Sequence, residues 1–188
     1  MTVRRYDRLT TSHSRLRTLD LAYIALFAVL IAVSAWIAIP FPVPFTLQTF
    51  AVFLALMTLG GQRGFYAVLV YLLMGAAGLP VFSGFQGGIG VLMGATGGYL
   101  TGFLVSAVLY RILTGKGEST LQTGLAALAG LLVCYLIGTL WFSVGYRAAS
   151  TSGILSVLLL CVVPYVIPDL VKLALAFALS RRLKRYLK

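Results

Sequence analysis

Acid is scarce in this chain. Asp and Glu number 4 against 15 Lys and Arg, for a formal net charge of +11, and there is a single histidine. The acids are Asp7, Asp20, Glu118 and Asp169, and the histidine is His13 in a polar amino-terminal stretch. Only Asp169 lies well inside an apolar run. An intramembrane pair of aspartates, a serine–histidine dyad and a histidine-held metal are thereby excluded from the apolar body, so no catalytic residue, metal or cofactor is expected. The 2 cysteines, Cys134 and Cys161, sit in apolar runs without CxxC spacing and read as buried small hydrophobes. Lys116 is flanked by Gly115 and Gly117, but Tyr110 stands where a phosphate loop needs glycine, so the chain is not expected to hydrolyse ATP. Gly88-Ile89-Gly90 has the wrong spacing for a dinucleotide fingerprint.

Charge of either sign is rare overall, at 10% of residues, whereas 60% are hydrophobic and the mean hydropathy is +0.99. Soluble domains are typically about half apolar and about a quarter charged. A soluble globular enzyme is therefore excluded, and 188 residues leave room for roughly six or seven membrane spans of about 20 residues each. The expected class is an all-α integral membrane protein. Its basic tail covers residues 1–18, its membrane body residues 19–180 and its basic end residues 181–188.

Six spans are predicted, at residues 19–39, 45–59, 65–77, 90–113, 121–145 and 154–179. The first ends at Pro40-Phe41-Pro42-Val43-Pro44, whose alternating prolines cannot continue a helix. Gly60-Gly61-Gln62-Arg63-Gly64 reads as a short turn between the second and third spans, and residues 78–90 as a glycine-rich loop. The polar tail and long first run do not fit a cleaved signal peptide. With both ends in the cytoplasm, the inner segments hold Arg4, Arg5, Arg8, Arg15, Arg17, Arg63, Arg111, Lys116, Arg181, Arg182, Lys184, Arg185 and Lys188. The outer loops hold only Arg147, and Lys172 lies within a span. Basic residues collect in cytoplasmic loops. That asymmetry supports six spans, and it explains the excess of base better than a nucleic-acid partner does.

The chemistry concentrates in the sixth span. Pro164 and Pro168 are expected to break the helix, so that Asp169 begins a fresh half-helix. Lys172 follows three residues later on the same face, with Tyr165 four residues before Asp169. An ionised side chain at mid-bilayer costs about 2.5–3.5 kcal/mol on insertion scales, so two such residues persist if they pair or bind something. One reading is an internal bridge. The other is a recognition pair for a polar ligand, the carboxylate accepting from N–H groups such as those of a urea and the ammonium donating to a carbonyl.

Gly90, Gly94, Gly98, Gly102 and Ser106 form a small-residue stripe on the fourth span, as Ala126, Gly130, Cys134 and Gly138 do on the fifth. Both suit close helix packing, and Gly97-Gly98 would also let backbone approach a ligand. Ala28 and Ala32 would form a docking surface if their face of the first span looks outward. Thr46 and Gln48 are polar groups at the head of the second span, with Thr46 a candidate cap. Phe82, Phe85 and Tyr99 suit an aromatic wall. Trp36, Trp141 and Tyr146 read as interfacial anchors.

Five segments in order carry a resemblance. They are Pro44-Phe45-Thr46-Leu47-Gln48-Thr49, Gly78-Leu79-Pro80-Val81-Phe82, Gly87-Gly88-Ile89-Gly90, Thr96-Gly97-Gly98-Tyr99 and Pro168-Asp169-Leu170-Val171-Lys172. Together they resemble the BioY family, the biotin-binding substrate (S) components of energy-coupling factor (ECF) transporters, over about residues 19–183. Ala95 departs from the family pattern, which has proline there. The resemblance implies a six-helix bundle in the bacterial plasma membrane with both termini cytoplasmic. It implies capture of biotin from outside and partnership with a membrane coupling (T) protein and two cytoplasmic ATPases, which would topple the bundle to deliver its load. It assigns docking to Ala28 and Ala32 and biotin contact to Asp169 and Lys172. Tyr165, Gln48, Thr46, Phe45, Phe82, Gly88, Gly97, Gly98 and Tyr99 complete the candidate substrate-binding set. Three other readings stay open: an S component for another vitamin, a self-sufficient facilitator, and an assembly protein in which Asp169 and Lys172 only bridge.

Overall fold

The structure is a computed structural model that describes residues 17–40, 44–115, 119–145, 158–159 and 161–186. Most of the basic tail, Lys116, Glu118, Tyr146, Arg147 and the expected start of the sixth span lie outside the described residues. The elements are α1 (Thr18–Trp36), β1 (Ala38–Ile39), β2 (Phe45–Thr46), α2 (Gln48–Ala76), a 3-10 turn (Ser83–Phe85), α3 (Ile89–Leu92), α4 (Gly97–Leu113), α5 (Thr120–Gly145) and α6 (Val163–Leu183). Helices α1, α2, α5 and α6 are long and apolar enough to cross a membrane, and α4 is a shorter apolar helix.

The outward faces identify the solvent. On α5, Leu121, Leu125, Leu128, Leu132, Leu136, Leu140 and Val144 are all exposed at helical spacing. In water such a stripe would be a large apolar patch, whereas facing lipid it carries no penalty. The opposite face of α5 carries the small residues, and they pack on α4 as expected. A side chain at Gly102 would meet Cys134, and one at Gly98 would meet Trp141. Ser106 Oγ donates to the Gly130 carbonyl at 2.6 Å. The stripe on α4 is shorter than expected, because the chain leaves the helix between Leu92 and Gly97 and starts again. Hydropathy is continuous across that break, so the apolar run hides it.

Helix α2 lies at the centre, packed against α1, α4 and α6. Ala51 through Thr58 are all buried, as befits a segment that is apolar on every side. Within α2, Gly60 takes φ 81° and ψ 169°, a conformation that favours glycine. A Cβ added to Gly64 would lie 2.7 Å from Leu56 Cα. Eight residues along a straight helix would separate them by about 12 Å. The chain therefore doubles back at Gly60, and α2 is a helical hairpin whose limbs are the predicted second and third spans.

Three expectations are corrected. The first and second spans end and begin at Trp36 and Gln48, not at residues 39 and 45. Between them Ala38–Ile39 and Phe45–Thr46 pair as antiparallel strands, since prolines on either side of this stretch favour extended backbone. The prolines of α6 do not open a new half-helix at Asp169. Pro164 sits in the first turn, where its missing N–H costs nothing, and the helix runs on through Pro168. Finally, Ala28 and Ala32 are buried in the core. Their small-residue face is turned inward, and the exposed side of α1 carries Leu26, Val29 and Val33 instead.

The two ends of the bundle differ in charge. Arg63 at the hairpin tip reaches Asp20 near the start of α1, and Gln122 at the start of α5 donates to Leu113 O at the end of α4. A Cβ on Gly61 would touch Arg111. These elements, with the carboxyl end of α6, gather the described basic residues other than Lys172 at one end. The other end holds Trp36, the strand pair, the 3-10 turn and the first turns of α4 and α6.

Candidate substrate-binding site

A cavity of about 410 Å³ opens at that second end. Its lining combines the residues around the strand pair, the loop after α2, α4, α5 and α6. Of the sequence-predicted set it includes Thr46, Gln48, Phe82, Tyr99, Tyr165, Asp169 and Lys172. Phe45 stands behind Lys172, whose Nζ lies 3.7 Å from its ring centroid, and beside Tyr165 at 6.1 Å between ring centroids. Gly88, Gly97 and Gly98 are outside the lining. Gly98 packs on Trp141, a side chain on Gly97 would collide with Leu92, and Gly88 takes φ 95° ahead of α3.

Asp169 and Lys172 face the cavity from successive turns of α6, 4% and 6% exposed. Their contacts are complete. Lys172 Nζ meets Asp169 Oδ1 at 2.8 Å and donates to Thr46 O at 2.7 Å, with the Phe45 ring on its third side. Tyr135 donates its hydroxyl to Asp169 Oδ2 at 2.6 Å. Buried ions persist only with such partners. Lys172 has two hydrogen bonds and a ring on its third side, while each carboxylate oxygen keeps a further acceptor site. The cavity is therefore floored by a carboxylate with capacity to accept, held in place by an ammonium that is itself bonded within the chain.

Gln48, 5% exposed, supplies the opposite function. Its Nε2 is buried and has no hydrogen-bond partner among the described residues. An unpaired buried donor costs about 1–3 kcal/mol, a cost that a bound acceptor would remove. Thr46 Oγ1 accepts the Gln48 backbone N–H at 3.2 Å one residue ahead of the N-cap, Leu47, so Thr46 is not the cap expected, and its carbonyl holds Lys172. Phe82 is buried, edge-on to Tyr71 at 5.6 Å. Tyr99 donates to Cys161 O at 3.3 Å and spans α4 to the approach of α6.

Trp36 and Trp141, expected as interfacial anchors, also bond within the chain, and Trp36 lines the cavity. Trp36 Nε1 donates to Pro80 O at 2.8 Å and its ring stacks on Phe85 at 5.0 Å, which fastens the loop after α2 over the cavity. Trp141 donates to Gly94 O at 3.0 Å across the break before α4. Both cysteines are buried and reduced, and both line the cavity. Tyr135, which holds Asp169, is a site residue that sequence reasoning missed. Its one signal is a phenol on the fifth span, one residue off the small-residue stripe.

The BioY family pattern matches residues 8–188. A biotin transporter BioY of Thermotoga maritima is 44% identical over 161 residues, which is 85% of this chain and 92% of that protein. A probable biotin transporter BioY of Pyrococcus horikoshii is 40% identical over 168 residues, covering 88% and 96%. Among solved structures, the S-component for biotin from an ECF-type ABC transporter superposes with a TM-score of 0.73 at 26% identity, covering 89% of this chain and 91% of the other.

Proposed function

The chain belongs to the BioY family of transporters, which are not enzymes, and from that premise we propose that it is the biotin-capturing S component of an ECF transporter in a bacterial plasma membrane. The observation that carries this reading is the cavity floor, where Asp169 offers acceptor sites and Gln48 an unpaired donor. The ureido group of biotin presents two N–H donors and one carbonyl, the complement of that pattern. Asp169 would accept the N–H groups, and Gln48 would donate to the carbonyl. Lys172 would hold Asp169 in place and aimed. Phe82, Tyr99 and Tyr165 would cover the apolar parts of the fused rings, and the cavity volume lies within the range usual for small-molecule sites.

The hairpin at Gly60 supports six crossings. It divides α2 into two limbs, and α1, α4, α5 and α6 provide the others. The gathering of Arg63, Arg111 and Arg181 at the end away from the cavity supports a cytoplasmic basic end, with the cavity mouth outside. A coupling protein and two ATPases would supply the energy for reorientation, since this chain has no phosphate loop.

Isothermal titration of the detergent-purified chain with biotin tests the assignment. Saturable one-to-one binding is expected, lost in Asp169→Asn. A folded wild-type chain that takes up no heat with biotin would overturn it. Uptake into liposomes with and without the ATPase module then tests the coupling.

A further inference from the structure

A second hollow, of about 260 Å³, opens at the basic end between the start of α5 and the end of α6. Thr120, Thr123, Phe177 and Ser180 form its wall, and Arg181, Lys184 and Arg185 its rim. Those three cations are spaced i, i+3, i+4 on α6 and so share one face. Arg182, between them in sequence, is outside the lining and exposed.

Two other described cations at this end are already engaged. Arg63 pairs with Asp20 at 3.0 Å, and Arg111 lies over the Phe65 ring at 5.9 Å. Among the described residues, Arg181, Lys184 and Arg185 have no carboxylate partner. The first turn of α5 faces them. Ser119 Oγ caps the Gln122 N–H at 3.1 Å, and the positive end of the helix dipole adds to the field of the three cations. The ring of Phe177 lines the inner wall beside the hydroxyl residues Thr120, Thr123 and Ser180. Orientation in the membrane requires positive charge at this end, but it does not require that three cations converge on one cavity.

We propose that this hollow binds a phosphate group, with Arg181, Lys184 and Arg185 as its ligands. Two sources share that chemistry, an anionic phospholipid headgroup of the inner leaflet and a soluble phosphate. The proposal is independent of what the cavity at the other end binds.

Native mass spectrometry of the full chain, released from micelles containing phosphatidylglycerol or phosphatidylcholine, tests it, with thermal unfolding as the check that each variant is folded. One phosphatidylglycerol retained in preference to phosphatidylcholine is expected. Arg181→Ala, Lys184→Ala and Arg185→Ala should each weaken retention about fivefold, and Arg182→Ala by less than about twofold. Competition by inorganic phosphate at those same residues would mark a soluble phosphate as the ligand, and its absence a lipid headgroup. Equal weakening by all four variants would mean diffuse charge and overturn the site. So would a wild-type chain that retains neither probe, or binding that emerges only in Glu118→Gln, which would show the hollow filled by the chain's own carboxylate.

Discussion

The described residues hold two ion pairs of nearly equal length in opposite surroundings. Asp169–Lys172, at 2.8 Å, has side chains 6% and 8% exposed at the floor of the cavity. Asp20–Arg63, at 3.0 Å, has side chains 11% and 43% exposed at the basic end. Distance does not separate them; burial and the company of other polar groups do. Lys172 and Asp169 are each completed by a third party, the Thr46 carbonyl and the Tyr135 hydroxyl. Each of those comes from another element, so the inner pair joins the strand pair, α5 and α6. The outer pair joins two elements and leaves half of its arginine in solvent.

The largest effect should come from breaking the inner pair on one side. Lys172→Met leaves a buried carboxylate with Tyr135 as its one partner among the described residues, and a loss of about 3–5 kcal/mol of stability is expected in chemical unfolding. The double replacement Asp169→Asn with Lys172→Met removes both charges and should recover most of that loss. It should not recover biotin binding. Recovery of both would reduce the pair to a structural bridge, and recovery of stability alone would show that the charges are kept for the ligand. Tyr135→Phe is next. It removes one hydrogen bond to a charged acceptor, worth about 1.5–3 kcal/mol, and biotin affinity by calorimetry should fall about tenfold or more. An unchanged affinity would mean that Tyr135 does not orient Asp169.

Gln48→Leu sharpens the contrast differently, because the amide has no partner to lose. Its removal should leave stability unchanged or slightly raised in thermal unfolding, while biotin affinity falls about tenfold through the missing donor. A loss of stability without a loss of affinity would place Gln48 in the packing of α2 rather than in recognition.

What was legible in the sequence divides along the same physical lines. Lipid demands long apolar runs, so the helices stood out, and Gly60 with its neighbours marked the hairpin because a reversal needs glycine there. Asp169 and Lys172 stood out because charge within such runs is rare. The break before α4 did not, since Met93 to Thr96 lie in a stretch of glycine and apolar residues that reads as helix. Nor did the partners of the pair. Thr46 contributes a backbone carbonyl, which no side-chain pattern records, and it lies 126 residues from Lys172. Tyr135 is one phenol in an apolar helix, where a phenol is usually packing. The second role of Trp36 was missed for the complementary reason. Half-exposed tryptophans near helix ends are commonly interfacial, and only the Pro80 carbonyl and the Phe85 ring reveal that this one fastens a loop.

The smallest effect should come from the outer pair. Arg63→Ala removes a contact whose arginine is half in solvent, and such pairs contribute about 0–1 kcal/mol. Asp20 would not be stranded, because its Oδ2 also accepts the Arg17 backbone N–H at 3.0 Å at the start of α1. A change within about 1 kcal/mol, shrinking as salt is added, is therefore expected in chemical unfolding. A loss as large as that of Lys172→Met would break the comparison. It would mean that the pair between α1 and the hairpin tip is as shielded as the one in the cavity, and that burial by lipid headgroups, not by protein alone, sets the worth of charges at the basic end.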